Sequence, residues 1–157
     1  MKVLAVVGDR YYSDFETFSR VLDEEIQKTG STELVTGDCS GVDTMVYDYG
    51  SIRGVPVTVF CASSTNYARL TADGARAVLV ADWKRQGAAA GPIRNRRLLK
   101  AADSVLLFDG GGKGSASVRT IAKELGKKIE RKEVNGEGNV TERRPNTASN
   151  WETEVWG

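Results

Sequence analysis

Four glycine-bearing segments hold the side chains able to do chemistry in this chain. They are Gly8-Asp9-Arg10, Gly37-Asp38-Cys39-Ser40-Gly41-Val42-Asp43, Gly91-Pro92-Ile93-Arg94-Asn95 and Gly110-Gly111-Gly112-Lys113-Gly114-Ser115. Glycine lets backbone N–H groups approach a phosphate, and a helix that starts behind such a turn adds positive partial charge. Arg10 and Lys113 add full charges, and Ser40 with the Gly41 N–H offers further donors to an anion. Arg94 and Asn95 fall in the first turn of an expected helix, so a guanidinium and an amide are expected to point toward the same edge as the glycine loops. The candidate functional carboxylates are Asp9 and Asp43. Asp43 lies in a first helical turn, where an acid serves equally as a cap or as an acceptor for a ribose hydroxyl or a base. Taken singly, each turn is also explained as ordinary strand-to-helix punctuation.

The spacing excludes some chemistries. The last loop is not a Walker A motif, because no GK[ST] closes it, and no GxGxxG follows the first strand. The chain contains no histidine, which removes Ser-His-Asp triads, His-containing zinc sites and histidine bases; no metal site or cofactor is expected.

The elements that must position these segments alternate along the chain. Residues 3–7 form a continuous apolar run, as in a strand covered on both faces. Ser13 and Glu16 have capping-box spacing, Phe15, Phe18, Leu22 and Ile26 form a helical stripe, and Gly30 stops it. A second unit follows, with a strand over 33–36, a helix capped by Ser40 that carries Val42, Met45, Val46 and Tyr49, and a stop at Gly54. A third strand is expected over 56–61. Residues 62–80 fit a helix, a strand or a folded-over insertion. Pro92 then suits a helix start, 104–108 reads as a strand, Ser115 opens a helix bearing Val118, Ile121, Ala122 and Leu125, and 128–134 fits an edge strand. Short strands alternating with helices predict an α/β, Rossmann-like, doubly wound three-layer domain with a mainly parallel sheet over residues 1–134. In such a sheet the turns gather outside the carboxyl ends of the strands, where ligands bind.

Residues 135–157 change to Gly, Asn, Thr, Glu and Arg with isolated apolar residues, so a disordered tail is expected, with Trp151 and Trp156 either docked or solvent-exposed. The 157 residues suit one domain. Net charge is +1, which gives little long-range field for nucleic acid. No signal-peptide pattern or membrane-length apolar stretch is present, so a cytoplasmic location without membrane association is expected. Cys39 and Cys61 are expected to be reduced.

The order of the segments is more specific than any one of them. An opening GxR turn followed by Tyr11, a TGxxxGxD turn over 36–43, DWxxxGxxAGxxRN over 82–95 and the loop FDGGGKGS resemble the DUF2493, YspA-like branch of the SLOG superfamily. That superfamily comprises Rossmann-like proteins related to YpsA, the DprA core and the LOG phosphoribohydrolases. The resemblance covers residues 1–128. It implies a pocket for a nucleotide or nucleotide-like ligand, lined by Gly8, Arg10, Gly37, Ser40, Gly41, Asp43, Trp83, Arg94, Asn95, Gly111, Gly112, Gly114 and Ser115, with Asp9 beside them. Pairing through helices in related families implies a possible homo-oligomer.

Two departures from the family pattern bear on function. About twenty residues, 62–80, lengthen the passage from the third strand to Asp82. Ser117 and Val118 stand where the LOG enzymes carry a glutamate suited to N-glycosidic cleavage. The expected function is therefore binding of a nucleotide or nucleotide-derived ligand, as a sensor or sequestering module. The alternatives are a hydrolase or transferase acting on an N-glycosidic or phosphate bond, with Asp43 or Asp9 as the catalytic carboxylate, and a DprA-like nucleic-acid binder.

Overall fold

Apolar runs bounded by glycine build the centre of the protein. The computed structural model describes residues 2–135. Strand β1, Val3–Gly8, runs through the middle, and its last five residues are buried. It pairs in parallel with β2, Glu33–Thr36, on one side and with β5, Ser104–Asp109, on the other. Outward from β2 come β3, Val57–Cys61, and β4, Arg76–Leu79; outward from β5 comes β6, Lys128–Glu133. All pairings are parallel and the order is β4-β3-β2-β1-β5-β6.

The pleat divides the core in two. Leu4, Val6, Leu34 and Leu106 face helices α1, Phe15–Thr29, and α2, Val42–Arg53, which contribute Phe18, Leu22, Val46 and Tyr49. Helix α3, Ser64–Ala72, packs Tyr67 and Leu70 against the same face. Ala5, Val7, Val35 and Leu107 face the opposite layer, where α5, Ala90–Lys100, supplies Leu98 and Leu99, and α6, Lys113–Glu124, supplies Val118 and Ile121. Between β4 and β5 the chain crosses from the sheet edge to the strand beside β1, through the short α4, Trp83–Gln86, a 3-10 turn and α5. The winding reverses there, which places the crevice of a doubly wound sheet at the carboxyl ends of β1, β2 and β5.

Local details differ from the sequence reading in four places. The N-cap of α1 is Asp14, not Ser13; its carboxylate accepts from Thr17 N at 3.0 Å and from the Thr17 hydroxyl at 2.7 Å, and an ionised acceptor outcompetes a serine hydroxyl at a helix start. Ser40 does not cap α2, whose N-cap is Gly41. Helix α6 opens at Lys113 behind Gly112, so Ser115 is its third residue and is buried. Helix α5 begins at Ala90, ahead of the start expected at Pro92. Residues 62–80, which fitted a helix, a strand or a folded-over insertion, form both a helix and a strand: Ser63 caps α3 by accepting from Asn66 N at 3.2 Å, and β4 extends the sheet beside β3.

Gly30 and Gly54 end α1 and α2 in the left-handed conformation, at φ 71° and 72°. Both cysteines are free and buried. Among the described residues no helix is long and apolar enough to cross a membrane. Asn135 is buried; the remainder of the expected tail, with Trp151 and Trp156, lies outside the described residues.

Candidate functional site

Three loops meet at the carboxyl ends of β1, β2 and β5, and their glycines are what allows the meeting. Asp9 N extends the β1–β5 ladder by donating to Phe108 O at 2.9 Å. A Cβ on Gly8 would stand 2.4 Å from that same carbonyl. Asp9 O accepts from Val42 N at 3.1 Å, which ties the first loop to the start of α2. Gly41 sits at φ 75°, and a Cβ there would fall 2.4 Å from Asp9 O. On the other side, a Cβ on Gly110 would be 2.4 Å from Asp9 Oδ1. Ser40 Oγ donates to Arg10 O at 3.2 Å. Gly8 and Gly41 are required by close backbone contact, and Gly110 by the Asp9 carboxylate, inside the protein.

The last loop is held from beneath. Asp109, at the end of β5, accepts from Gly111 N at 2.8 Å, from Arg131 Nε at 2.7 Å and from Arg119. Burial works to raise the Asp109 pKa, but the Arg131 and Gly111 hydrogen bonds and the two guanidinium charges hold it below the ordinary carboxylate range. Gly111, at φ 86°, Gly112, the N-cap, and Gly114 and Ser115, in the first turn of α6, therefore occupy fixed positions at this edge.

A buried ionic cluster lies under the second loop. Arg94 is 1% exposed, and instead of projecting at the edge it turns inward to Asp38, Nη1 to Oδ1 at 2.5 Å. Its Nε donates to Asn95 Oδ1 at 2.7 Å, and Asn95 Nδ2 reaches Ser117 Oγ at 3.3 Å, linking α5 to α6. Asp43 is also interior: Oδ2 accepts from Cys39 N at 3.2 Å, while the buried Oδ1 has no hydrogen-bond partner among the described residues. Gly37 separates these groups, since a Cβ on it would lie 2.6 Å from Asp43 Oδ2 and 2.8 Å from Arg94 Nη1. Burial, with a contribution from Asp38, pushes the Asp43 pKa up to about 7 against the pull of Arg94 and the Cys39 N–H. Burial likewise pushes both thiols up to about 12, so neither cysteine is a ready nucleophile.

Beside this cluster opens a cavity of about 430 Å³ between the β2–α2 loop, α3 and α4. Of the residues expected at a binding site, Arg10, Ser40 and Trp83 line it. Gly37, Asp43, Arg94 and Asn95 form the support behind it, and Gly8 lies between strands. Sequence reasoning missed Asp38, Asn66 and Arg69 on its walls. Asp38 stood within a quoted motif, and Ser63 and Asn66 have capping spacing, but nothing in the sequence signals Arg69. The Asp38 carboxylate is fully engaged: its side chain is 0% exposed, Oδ1 also accepts from Ala62 N at 3.0 Å, and Oδ2 accepts from Asn66 Nδ2 at 3.1 Å. The cavity is thus lined by two arginines, a tryptophan and the hydroxyl-bearing Ser40, Thr44, Ser63 and Thr65, with Asp38, Cys39 and Asn66. Among the described residues no group of three or more Cys, Asp or Glu is placed to hold a metal ion.

Comparison with known proteins agrees with this geometry at the level of fold. Residues 1–67 match the model of the YspA, cpYpsA-related SLOG family, which supports a YspA-like SLOG assignment. No curated protein matches the chain. DNA processing protein A from Helicobacter pylori, solved in a study of its single-stranded DNA binding mode, superposes with a TM-score of 0.60 at 16% identity, covering 86% of this chain and 69% of that one. The structure of TM1055 superposes with a TM-score of 0.57 at 23% identity, covering 82% and 72%. Both likenesses are of fold, which in this chain is a six-stranded parallel sheet with alternating helices.

Proposed function

We propose that this chain, YspA-like over residues 1–67, binds a nucleotide or nucleotide-derived ligand in the cleft between the β2–α2 loop, α3 and α4, as a sensor or sequestering module. The observation that carries the reading is the shared lining of one cavity by Arg10, Ser40 and Trp83, beside a carboxylate already consumed by Arg94. Arg10 meets the phosphate, and the Trp83 ring offers a face for the base. At about 430 Å³ the cleft is within the range of small-molecule sites, roughly 300 to 1,000 Å³.

Binding without turnover is favoured by the position of the carboxylates. A general acid or base must reach the reacting atom within hydrogen-bond distance. Asp43 is 3% exposed and is not part of the cleft lining, and Asp9 is 9% exposed against Gly110. The single-stranded DNA reading suggested by the DNA processing protein is less well supported, because the net charge of +1 supplies no field for a polyanion.

Calorimetric titration with nucleoside mono-, di- and triphosphates, followed by chromatography of the mixture, tests the proposal. Saturable binding with intact ligand recovered is the expected result. Release of base or phosphate that is lost in Asp43→Ala would replace the binding reading with the enzymatic one.

A further inference from the structure

A groove of about 690 Å³ lies open between α5 and α6 and shares no lining residue with the cleft between the β2–α2 loop, α3 and α4. We infer that segment 151–156 of the same chain, which carries Trp151 and Trp156, docks in this groove, making it an internal docking surface and not a second ligand site. This docking is independent of whether the cleft takes a nucleotide.

The groove combines an apolar lining with an excess of cations. Val80, Pro92, Ile93, Ala116 and Ile121 supply the apolar part. Ile93 is 42% exposed, whereas Leu98 and Leu99 on the same helix are buried in the core, so α5 keeps a large apolar side chain in water on the groove side. A cover that buries it gains the usual stabilisation of apolar surface removed from solvent. Around it, Arg96, Arg97, Lys100 and Lys113 stand with one acid, Glu124, which Arg96 already holds at 2.5 Å. Cations around an apolar floor favour an occupant that interleaves aromatic rings with carboxylates and disfavour a basic one.

Segment 151–156 has that composition. It reads Trp-Glu-Thr-Glu-Val-Trp, with two indoles, a valine and two carboxylates and with no lysine or arginine. Each indole can bury on the order of 150 to 250 Å², the large apolar area an anchor in such a groove needs. The segment also starts from the right place. Val134 N donates to Asp109 O at 3.0 Å, so the chain leaves β6 beside the end of β5, and Lys113, which opens α6 and lines the groove, follows Asp109 closely in the sequence. Residues 136–150 connect Asn135 to Trp151. A tether of that length spans at most about 50 Å, well beyond the roughly 14 Å radius of gyration of a domain of this size. It holds the segment at an effective concentration on the order of millimolar, so a weak intrinsic affinity suffices.

In the full chain, Trp83→Phe leaves Trp151 and Trp156 as the two tryptophans, so fluorescence reports on the segment alone. Docking predicts blue-shifted emission and an acrylamide quenching constant less than about half that of N-acetyltryptophanamide, because buried indoles are shielded from the quencher. In this background Ile93→Asp, at an exposed position and checked by an unchanged melting temperature, is expected to raise quenching to the free-indole level. Arg97→Glu with Lys100→Glu is expected to raise it in part, and adding Glu152→Lys with Glu154→Lys to restore the shielding. Free-indole quenching in the Trp83→Phe protein, or shielding that survives both Ile93→Asp and the charge reversal, overturns the docking. Shielding lost on dilution, in step with dissociation of a dimer in sedimentation, gives the groove to a second copy of the chain and overturns docking within one molecule.

Discussion

Arg94 Nη1 lies 2.5 Å from Asp38 Oδ1, and with side chains 1% and 0% exposed this pair fastens α5 to the end of β2 out of contact with water. Taking two charges out of water costs several kcal/mol per ion, which is repaid only when the remaining donors and acceptors are filled. Here they are: Asp38 also takes the Ala62 and Asn66 donors, and Arg94 also serves Asn95. The pair stands behind the cleft lined by Arg10, Ser40, Arg69 and Trp83.

Removing one partner leaves the other charge buried and uncompensated. Arg94→Met is expected to cost about 3 to 5 kcal/mol in urea unfolding. Arg96→Ala, which breaks a pair with Glu124 whose side chains are 44% and 52% exposed, should cost less than about 1 kcal/mol. Equal losses for the two variants would contradict the assignment of Arg94 as an internal organiser.

Asp43 gives stability a pH dependence with a definite sign. Its folded pKa, about 7, lies above the ordinary 3.8, so the folded state retains a proton that the unfolded chain releases. The resulting contribution is fully present below the ordinary value and is lost as pH rises through about 7. Asp43→Asn removes this dependence, at a slope of up to about 1.4 kcal/mol per pH unit. Urea unfolding across the acidic to mildly alkaline range should therefore show the variant gaining on wild type as pH increases, then running parallel to it. Parallel curves throughout would place Asp43 outside the buried cluster.

Two glycines separate close approach from backbone conformation. Gly37→Ala puts a methyl 2.6 Å from Asp43 Oδ2 and 2.8 Å from Arg94 Nη1, and overpacking of this kind costs typically about 1 to 3 kcal/mol. Gly30→Ala meets nothing within 4 Å and carries only the left-handed penalty at φ 71°, about 1 to 2 kcal/mol. The distinguishing readout is the cleft: Gly37→Ala is expected to weaken nucleotide binding and Gly30→Ala to leave it unchanged.

These residues also show what the sequence makes legible. The central strand announces itself because residues 4–8 are buried and almost wholly apolar, and helix ends at Gly30 and Gly54 are written in the residue type that tolerates φ above +60°. Arg94 was misplaced by a question of register. A helix begun at Pro92 puts it in the first turn, whereas α5 begins at Ala90, and Ala90, Arg94 and Leu98 then form one buried stripe at a spacing of four. A charged residue on that stripe hides it from a search for apolar periodicity, and its partner Asp38 is 56 positions away. The α3–β4 unit was left between alternatives for the opposite reason: α3 has no buried residue and β4 is an edge strand of four residues, two exposed and two half-buried, so neither carries a strong pattern.

The cleft between the β2–α2 loop, α3 and α4 is tested most directly by calorimetric titration of the full chain with a nucleoside monophosphate panel, comparing wild type with Arg10→Ala and Trp83→Ala. Saturable binding to wild type, weakened at least tenfold in both variants with their melting temperatures preserved, is the predicted result. No binding across the panel, or binding that survives both substitutions undiminished, would contradict the assignment of this cleft as a nucleotide site.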